Sequence, residues 1–340
     1  MKQPRTVTAD EAVMAVRTGD HIHLSSVASV PHVLIKALCR RADAGEVRDL
    51  HFHHFHTEGP APYSDPAYEG IFFEQGFFLG PNVRANVNAG YADYLPVHLG
   101  ESQKLYRSGA LRCDVAMVQV SRPDENGYFS LGTSVDCSLA AIESAGTVIA
   151  VVNENVPFAY GDLVSPDLVD YIVYDNTPLV TKDFAQPDEV EQLIGKNCAE
   201  LVPDGACLQM GIGALPNALA VALSDHKNLG LHTEMFADGI LGLIKKGVIN
   251  GSCKKIDTGK VVASFLLGSE EVYKFIDHNP DVLMKDIKYT NDPWVIAQNP
   301  NMMAINSAVE VDLTGQISAD SIGTRIFSGT GGQVDFVKGA

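Results

Sequence analysis

A glutamate and a glycine-containing turn carry the clearest chemical potential in this sequence. The turn is Gly211-Ile212-Gly213, which follows an apolar run over residues 206–210, and the glutamate is Glu234, in the triplet His-Thr-Glu after a second apolar run. Glycine tolerates positive φ and lets the backbone approach a ligand closely. Backbone N–H groups at such a turn can hold a phosphate or a developing oxyanion. Glu234 and Gly213 are therefore the predicted catalytic residues.

The elements that must position these residues form a strand–turn–helix–strand unit. The run over 206–210 is a predicted strand, Pro216 suits the first turn of a helix over 217–223, and 229–232 is a second predicted strand. In a parallel βαβ unit both strand ends open on the carboxyl edge of the sheet, where ligands bind, so Glu234 is expected beside the glycine turn. The alternative is structural, because a lone GxG often serves packing and a lone Glu is usually a solvated surface residue.

The same order of elements occurs earlier in the chain. A predicted strand over 21–26 leads to a helix over 31–41 and then to a second His-Thr-Glu triplet that ends at Glu58. Pro31, Leu34 and Ala37 match the residues 185 positions later. We infer two related units in tandem. The first copy has Ser26 and Ala28 where the second has glycines, so Glu58 is expected to be structural or substrate-adjacent.

The length of 340 residues suits two α/β domains. The predicted fold class is α/β, with two tandem related open α/β domains, mainly parallel sheets and an active site between the domains. The predicted boundaries are residues 1–180 and 187–340, joined by a linker over 175–189 that is rich in helix breakers. Further strands are predicted over 261–267 and 302–306, and the glycine cluster over 328–336 is predicted to be too dense in glycine for regular structure.

Charge and composition exclude several classes of protein. The chain has 25 Lys and Arg against 42 Asp and Glu, a formal charge of −17, so nucleic acid is not an expected partner. No apolar run is long enough to span a membrane, and the N-terminus lacks the apolar core of a signal peptide, so a cytoplasmic location is predicted. The six cysteines show no CxxC pair and are interpreted as reduced.

Five motifs together resemble the acetyl-CoA hydrolase/transferase family of class I CoA-transferases, and within it the 4-hydroxybutyrate and butyryl-CoA:acetate CoA-transferases. They are VSRPDENGYFSLGTSVD, LQMGIGALPNA, LGLHTEMFADG, AINSAVEVDLTGQ and SGTGGQVDF. The resemblance implies an active site between two open α/β domains, with Glu234 as the nucleophile. It also implies CoA contacts from these residues: Gly211, Ile212, Gly213, Ala214, Leu215, Asn306, Gly331 and Gly332. Relatives continue beyond the last motif, so the second domain is interpreted as truncated at its C-terminus.

The predicted function is transfer of CoA from a short-chain acyl-CoA to a carboxylate such as acetate, through a glutamyl-CoA thioester and with ping-pong kinetics. CoA is a substrate, no permanently bound cofactor is expected, and a homo-oligomer is implied by the resemblance. An acyl-CoA hydrolase that uses the same glutamate is the main alternative. A metal hydrolase is suggested by four histidines, although no metal motif accompanies them: His51, His53, His54 and His56. A non-catalytic CoA-binding protein is the third alternative.

Overall fold

The computed structural model describes residues 3–340; residues 1 and 2, which the first predicted domain includes, lie outside the described range. The first half of the chain runs to a segment over 175–188 that contains no helix or strand. Its strands are β1 (Arg5–Thr6), β2 (His21–Leu24), β3 (Leu50–His54), β4 (Phe72–Gly76), β5 (Asp93–Tyr94), β6 (Val115–Val120), β7 (Phe129–Ser130), β8 (Thr147–Val152), β9 (Tyr160–Gly161), β10 (Leu163–Val164) and β11 (Tyr171–Tyr174). Its α-helices are α1 (Ala9–Ala12), α2 (His32–Asp43), α3 (Pro81–Ala89), α4 (Leu99–Arg107) and α5 (Ser138–Ser144).

The second half begins with a helix whose N-terminus is closed by a capping box between Asp188 and Glu191. Its α-helices are α6 (Glu189–Ala199), α7 (Ala214–Ala222), α8 (Asp238–Lys245), α9 (Glu270–Ile276), α10 (Ile287–Thr290), α11 (Pro293–Ile296) and α12 (Gln333–Gly339). Its strands are β12 (Cys207–Met210), β13 (Gly230–His232), β14 (Met235–Phe236), β15 (Val261–Ala263), β16 (Phe265–Leu266), β17 (Val282–Met284), β18 (Met302–Ile305), β19 (Glu310–Val311), β20 (Ile317–Ser318), β21 (Ser321–Ile322) and β22 (Arg325–Ile326).

The first half is built on an eight-stranded sheet in the order β1-β11-β8-β6-β2-β3-β4-β5. Every neighbouring pair in this sheet is parallel. Parallel sheets are covered on both faces, so their central strands are continuous apolar runs. Strand β6, with the sequence VAMVQV, is buried at all of its positions, and β8 is buried at every position except Thr147.

The second half repeats this arrangement in a six-stranded parallel sheet, in the order β18-β12-β13-β15-β17-β9. Its first five strands correspond in order to β6-β2-β3-β4-β5 of the first sheet. In both sheets the first strand of the repeat lies between the second strand of the repeat and a strand from later in the same half. The predicted fold, two related α/β units in tandem with mainly parallel sheets, is confirmed.

One strand crosses between the halves. Strand β9 comes from the first half but pairs in parallel with β17, through Tyr160 opposite Leu283 and Gly161 opposite Met284. The approach is close: a Cβ at Gly161 would lie 2.0 Å from the Met284 carbonyl oxygen. A continuous hydrophobic core also spans both halves, and includes Phe55 as well as Phe265.

Three predicted elements differ from the structure. The apolar run over 261–267 is two strands, because Ser264 breaks it and β16 leaves the main sheet to pair with β14. The helix expected over 217–223 begins earlier, at Ala214, with Gly213 as its N-cap. The expectation that 328–336 lacks regular structure is wrong for its last residues, which belong to α12. None of the helices in the described range has the length and apolarity that crossing a bilayer requires.

Candidate active site

A cavity of about 270 Å³ opens at the carboxyl edge of the second sheet. Seven of the residues predicted for the site line it: Gly211, Ile212, Leu215, Glu234, Asn306, Gly331 and Gly332. Gly213 and Ala214, the N-cap and first residue of α7, lie outside this lining. The first half contributes Phe78 to the wall. The ends of three strands and the glycine cluster therefore meet in one space, with a side chain of the other half beside them.

The backbone of Glu234 is held by a break in the neighbouring strand. The N–H groups of Ser264 and Phe265 both donate to the Glu234 carbonyl oxygen, at 2.9 Å each. Two consecutive donors to one acceptor cannot continue a regular ladder, so the interruption at Ser264 is where β15 ends and β16 begins. The break thus fixes the position of Glu234 just beyond the end of β13.

The preceding residue, Thr233, ties this position to the glycine turn. Its hydroxyl lies 3.0 Å from the carbonyl oxygens of Met210 and Met235, and it accepts from the Met210 N–H at 3.4 Å. Met210 is the last residue of β12 and directly precedes Gly211. Thr233 is buried, and its hydroxyl links the end of β12 to the start of the Glu234 segment.

The side chain of Glu234 contacts a different glycine from the one expected. Asn291 Nδ2 donates to Glu234 Oε2 at 3.1 Å. A Cβ placed on Gly332 would lie 1.7 Å from the same oxygen, whereas a Cβ on Gly211 would meet nothing closer than Pro216 at 4.0 Å. The expectation that Glu234 stands against the 211–213 turn is corrected in this respect: the turn shares the cavity, but Gly332 is the glycine against the carboxylate.

Burial raises the pKa of Glu234 from its ordinary value of 4.5 to about 7. The hydrogen bond from Asn291 favours the ionised form and opposes the rise, and the negative charge of Asp335 adds to it. A carboxyl group with a pKa near 7 is partly ionised at neutral pH and is more basic than a solvated glutamate. Such a group can act as a nucleophile or a base without another residue to remove a proton.

The first residue of the His-Thr-Glu triplet fixes the donor to Glu234. His232 is fully buried, and burial lowers its pKa to about 4, so the ring is neutral at physiological pH. Its Nε2 donates to the Thr290 carbonyl oxygen at 2.9 Å. Thr290 ends α10 and precedes Asn291. His232 therefore holds the segment from which Asn291 reaches the carboxylate.

Asn306, another predicted site residue, is held by a reciprocal amide pair. Its Nδ2 donates to Gln209 Oε1 at 3.0 Å, and Gln209 Nε2 donates back to Asn306 Oδ1 at 3.2 Å. Gln209 lies on β12 opposite Ala304 of β18. The pair fixes Asn306 at the wall of the cavity, just beyond the end of β18.

The glycine turn keeps backbone donors available. No hydrogen bond among residues 3–340 is donated by the N–H of Gly211 or Ile212. Gly213 adopts a φ of 117°, a conformation that L side chains rarely take. The turn thus needs glycine at 213 for its backbone conformation, and it leaves two N–H groups free at the wall of the cavity.

The first His-Thr-Glu triplet is built differently. Glu58 accepts hydrogen bonds from His56 Nε2 at 2.8 Å and from Lys182 Nζ at 2.7 Å. Burial would raise its pKa, but the two hydrogen bonds outweigh burial and lower the pKa to about 2. Glu58 is thus a permanently ionised, paired side chain, and it does not line the cavity around Glu234.

The four histidines that suggested a metal hydrolase each contact a different side chain. His51 pairs with Asp49, His53 with Gln75, His54 lies 3.1 Å from Glu74, and His56 pairs with Glu58. Within residues 3–340 no group of three or more His, Cys, Asp or Glu side chains is arranged to hold a metal ion. The described chain therefore offers this alternative no metal-binding cluster.

Asn291 and Asp335, which support the Glu234 carboxylate, were not assigned a role from the sequence. Asn291 donates to Glu234 across 57 residues of chain, and Asp335 accepts from the same Asn291 amide at 3.2 Å. No local pattern marks either one, because Asn291 lies in a sequence, TNDP, that is typical of a helix end and a turn. The only available signal was that Asp335 belongs to the motif SGTGGQVDF.

Comparison with known proteins places this arrangement in context. A family model described as the acetyl-CoA hydrolase/transferase N-terminal domain matches residues 3–181, and the model of the C-terminal domain of the same family matches residues 268–340. The chain is 43% identical to the succinyl-CoA:acetate/propanoyl-CoA:succinate CoA transferase of Fasciola hepatica, over 97% of this chain and 69% of the relative. It is 41% identical to the 4-hydroxybutyrate coenzyme A transferase of Clostridium kluyveri, over 99% of this chain and 78% of the relative.

Solved structures agree with the sequence comparison. The crystal structure of the 4-hydroxybutyrate CoA-transferase from Porphyromonas gingivalis superposes with a TM-score of 0.83 at 35% identity, and the match covers 99% of this chain and 78% of that one. Proteins named acetyl-CoA hydrolase match more weakly. Those of Candida albicans and Neurospora crassa are 30% and 26% identical over 39% and 76% of this chain.

Proposed function

The chain belongs to the acetyl-CoA hydrolase/transferase family, and from that membership and the geometry of the cavity we propose that it transfers CoA from a short-chain acyl-CoA to a carboxylate acceptor such as acetate. The proposed acyl-CoA substrates are butyryl-CoA and 4-hydroxybutyryl-CoA. One observation carries the proposal: Glu234 faces the cavity with a pKa near 7, held by one amide donor, with unpaired backbone N–H groups in the same wall.

The proposed reaction has two symmetrical halves. The Glu234 carboxylate attacks the thioester carbonyl, and the C–S bond breaks to give a mixed anhydride and CoA thiolate. The thiolate then attacks the glutamyl carbonyl of the anhydride, so the free acid leaves and Glu234 carries CoA as a thioester. The acceptor carboxylate reverses both steps and leaves with CoA. Each step exchanges one acyl bond for another, as covalent catalysis with ping-pong kinetics requires.

The residues around Glu234 suit this sequence of steps. Asn291 orients one carboxylate oxygen, and Gly332 leaves the space that the carboxylate occupies. The tetrahedral oxyanions need donors, and the N–H groups of Gly211 and Ile212 are candidates for that role. Losing one such donor typically costs about 3 kcal/mol of transition-state stabilisation. Because only ionised Glu234 attacks, the rate should rise with pH through about 7.

Trapping the intermediate tests the proposal. Borohydride reduces a glutamyl thioester, so treatment after incubation with butyryl-CoA should modify the peptide that contains Glu234. Glu234→Ala should abolish both the modification and transfer. Glu58→Ala is the matched control, because Glu58 ends the equivalent triplet outside the cavity, and it should retain the modification. An active enzyme whose Glu234 peptide is never modified would refute the intermediate.

The hydrolase alternative differs only in the second acceptor. Water in place of a carboxylate would release free CoA from the same intermediate. Free CoA that appears at the same rate with and without acetate would identify a hydrolase, whereas exchange that requires acetate identifies the transferase. The weaker similarity to proteins named as hydrolases favours the second result. Homo-oligomerisation and a cytoplasmic location stay predictions from the sequence.

A further inference from the structure

Asp335 lies in the first turn of α12, just after the glycine that makes room for Glu234, and its carboxylate contacts both halves of the protein. Asn291 Nδ2 donates to Asp335 Oδ2 at 3.2 Å and to Glu234 Oε2 at 3.1 Å. The Gly100 N–H donates to the same Asp335 oxygen at 2.9 Å. An amide nitrogen carries two hydrogens, so Asn291 can bridge the two carboxylates with one hydrogen for each.

The contact with Gly100 ties this bridge to the first half. Gly100 is the second residue of α4, and the neighbouring Leu99 N–H donates to the Gly331 carbonyl oxygen at 2.9 Å. A Cβ at Gly100 would lie 3.0 Å from the Asn291 carbonyl oxygen and 3.1 Å from Asp335 Oδ2. The beginning of α4 is thus seated against the glycine cluster and Asp335, with no space for a larger residue at position 100.

We propose that Asp335 is a positioning residue for the glutamate: acting through Asn291, it orients Glu234 and holds a negative charge near it, and it links this orientation to the seating of α4. The inference rests on the proposed function, in which Glu234 is the nucleophile. Asp335 does not line the cavity that Glu234 faces, so it acts on the reacting carboxylate through Asn291 and through its charge.

Several charged side chains lie near Asp335, but none of them is ion-paired with Asp335 or Glu234 within residues 3–340. Burial has the largest effect on Asp335 and raises its pKa; the hydrogen bonds from Gly100 and Asn291 lower it, and the smaller effects of nearby charges follow, with His98 lowering and Glu101 raising it. Other charged side chains line an outer cavity beside Asp335: Lys104, Arg107, Lys288, Asp292 and Lys338. Asp335 is therefore the charge whose removal should act on Glu234 most directly, consistent with its contribution to the raised pKa of Glu234.

Two substitutions separate charge from hydrogen bonding. Asp335→Asn removes the charge but keeps a carbonyl oxygen that can accept from both Asn291 and Gly100, whereas Asp335→Ala removes both. Glu101→Gln is the matched control, because it removes a charge from the same region without touching Asn291. Thermal unfolding establishes that each variant is folded.

The kinetic test measures the pH dependence of kcat/KM for acyl-CoA. Asp335→Asn should move the acidic limb to lower pH by about one unit, because a nearby like charge no longer opposes ionisation of Glu234. Asp335→Ala should lower kcat at least about tenfold with KM changed less than about twofold, because orientation is lost while the cavity wall remains. Asp335→Asn should have a kcat close to that of the parent. Glu101→Gln should leave the acidic limb of the kcat/KM profile within about 0.3 pH units of the parent. An acidic limb that coincides in the parent and Asp335→Asn overturns the proposal, as does an Asp335→Ala variant with unchanged kcat.

A second readout does not depend on activity. Protein labelled with 13C at the glutamate carboxyl carbon allows the Glu234 resonance to be identified by its loss in Glu234→Gln and then titrated by NMR. The resonance should titrate at lower pH in Asp335→Asn than in the parent. Equal titration midpoints would overturn the proposal even in an active enzyme. A shifted midpoint in a protein that transfers no CoA would sustain the positioning role while the proposed function failed.

Discussion

Replacing Glu234 by Gln should stabilise the folded protein, and increasingly so as the pH rises. The folded state raises the pKa of Glu234 from 4.5 to about 7. Protonated Glu234 therefore contributes stability that is complete below about pH 4.5 and is lost as the pH rises through about 7. The full difference between these pKa values corresponds to roughly 3 kcal/mol. Because the side chain is partly exposed in its cavity, solvent screening reduces the expected gain to roughly 1–3 kcal/mol.

Urea unfolding of the parent and of Glu234→Gln at a series of pH values measures this gain. Gln keeps the acceptor for Asn291 and cannot ionise, so the difference in free energy of unfolding should be small near pH 5, grow to about pH 8 and then level off. Glu58→Gln is an internal control with the opposite sign. Its folded-state pKa is lowered to about 2 by His56 and Lys182 against the effect of burial, so this substitution should destabilise the protein at neutral pH by about 1–2 kcal/mol.

One result would contradict the predicted pH-dependent stabilisation by Glu234→Gln. If Glu234→Gln destabilises the protein by the same amount at every pH, then the carboxylate is better solvated in the fold than the geometry indicates. The raised pKa of Glu234, and with it the conclusion that Glu234 is only partly ionised at neutral pH, would then be wrong. If Glu234→Gln and Glu58→Gln changed the free energy of unfolding with the same sign and the same pH dependence, the distinction between the two His-Thr-Glu triplets would also be lost.

Three further predictions concern the positions around Glu234 and the sheet. Gly332→Ala should displace the carboxylate, since the new Cβ would fall 1.7 Å from its oxygen, and should lower kcat about 100-fold; Gly242→Ala, where nothing lies within 4 Å, should leave transfer unchanged. Asn291→Ala should shift the acidic limb of kcat/KM to higher pH, because the lost hydrogen bond favours ionised Glu234. Gly161→Ala should lower the free energy of unfolding by about 1–3 kcal/mol, measured by urea titration, because β9 closely contacts β17.

The sequence was sufficient for the parts of the fold that depend on local pattern. Apolar runs interrupted by glycine and proline predicted the strand and helix around Gly211, and the repeated order of elements with its two triplets predicted two related α/β units, which the matching strand orders of the two sheets confirm. The break at Ser264 was out of reach, because the run VVASFLL is almost continuously apolar. The break accompanies the two N–H bonds to the carbonyl oxygen of Glu234, which lies between β13 and β14 and is about 30 residues away in the chain.

The sequence predicted the candidate nucleophile and most of the cavity wall, but it did not predict the residues that orient the nucleophile. Asn291 and Asp335 reach Glu234 through contacts between distant segments, and the bond from Gly100 to Asp335 spans 235 residues. The dense glycines at 331–332 concealed the helix that follows them and presents Asp335. These glycines serve an ordered structure. Gly332 leaves room for the Glu234 carboxylate, and Gly331 adopts a φ of 56°, which favours glycine.

Strand β9, donated by the first half, makes the second repeat dependent on the first. The second sheet obtains its edge from residues 160–161, which precede the whole of the second repeat in the chain. If the protein arose by duplication of an ancestral unit, the first copy now supplies an edge strand of the second copy's sheet, so the second half is not a self-sufficient folding module. A second-half fragment divided at the linker should consequently regain its six-stranded sheet only when mixed with the first-half fragment, and the intact chain should unfold in one cooperative transition.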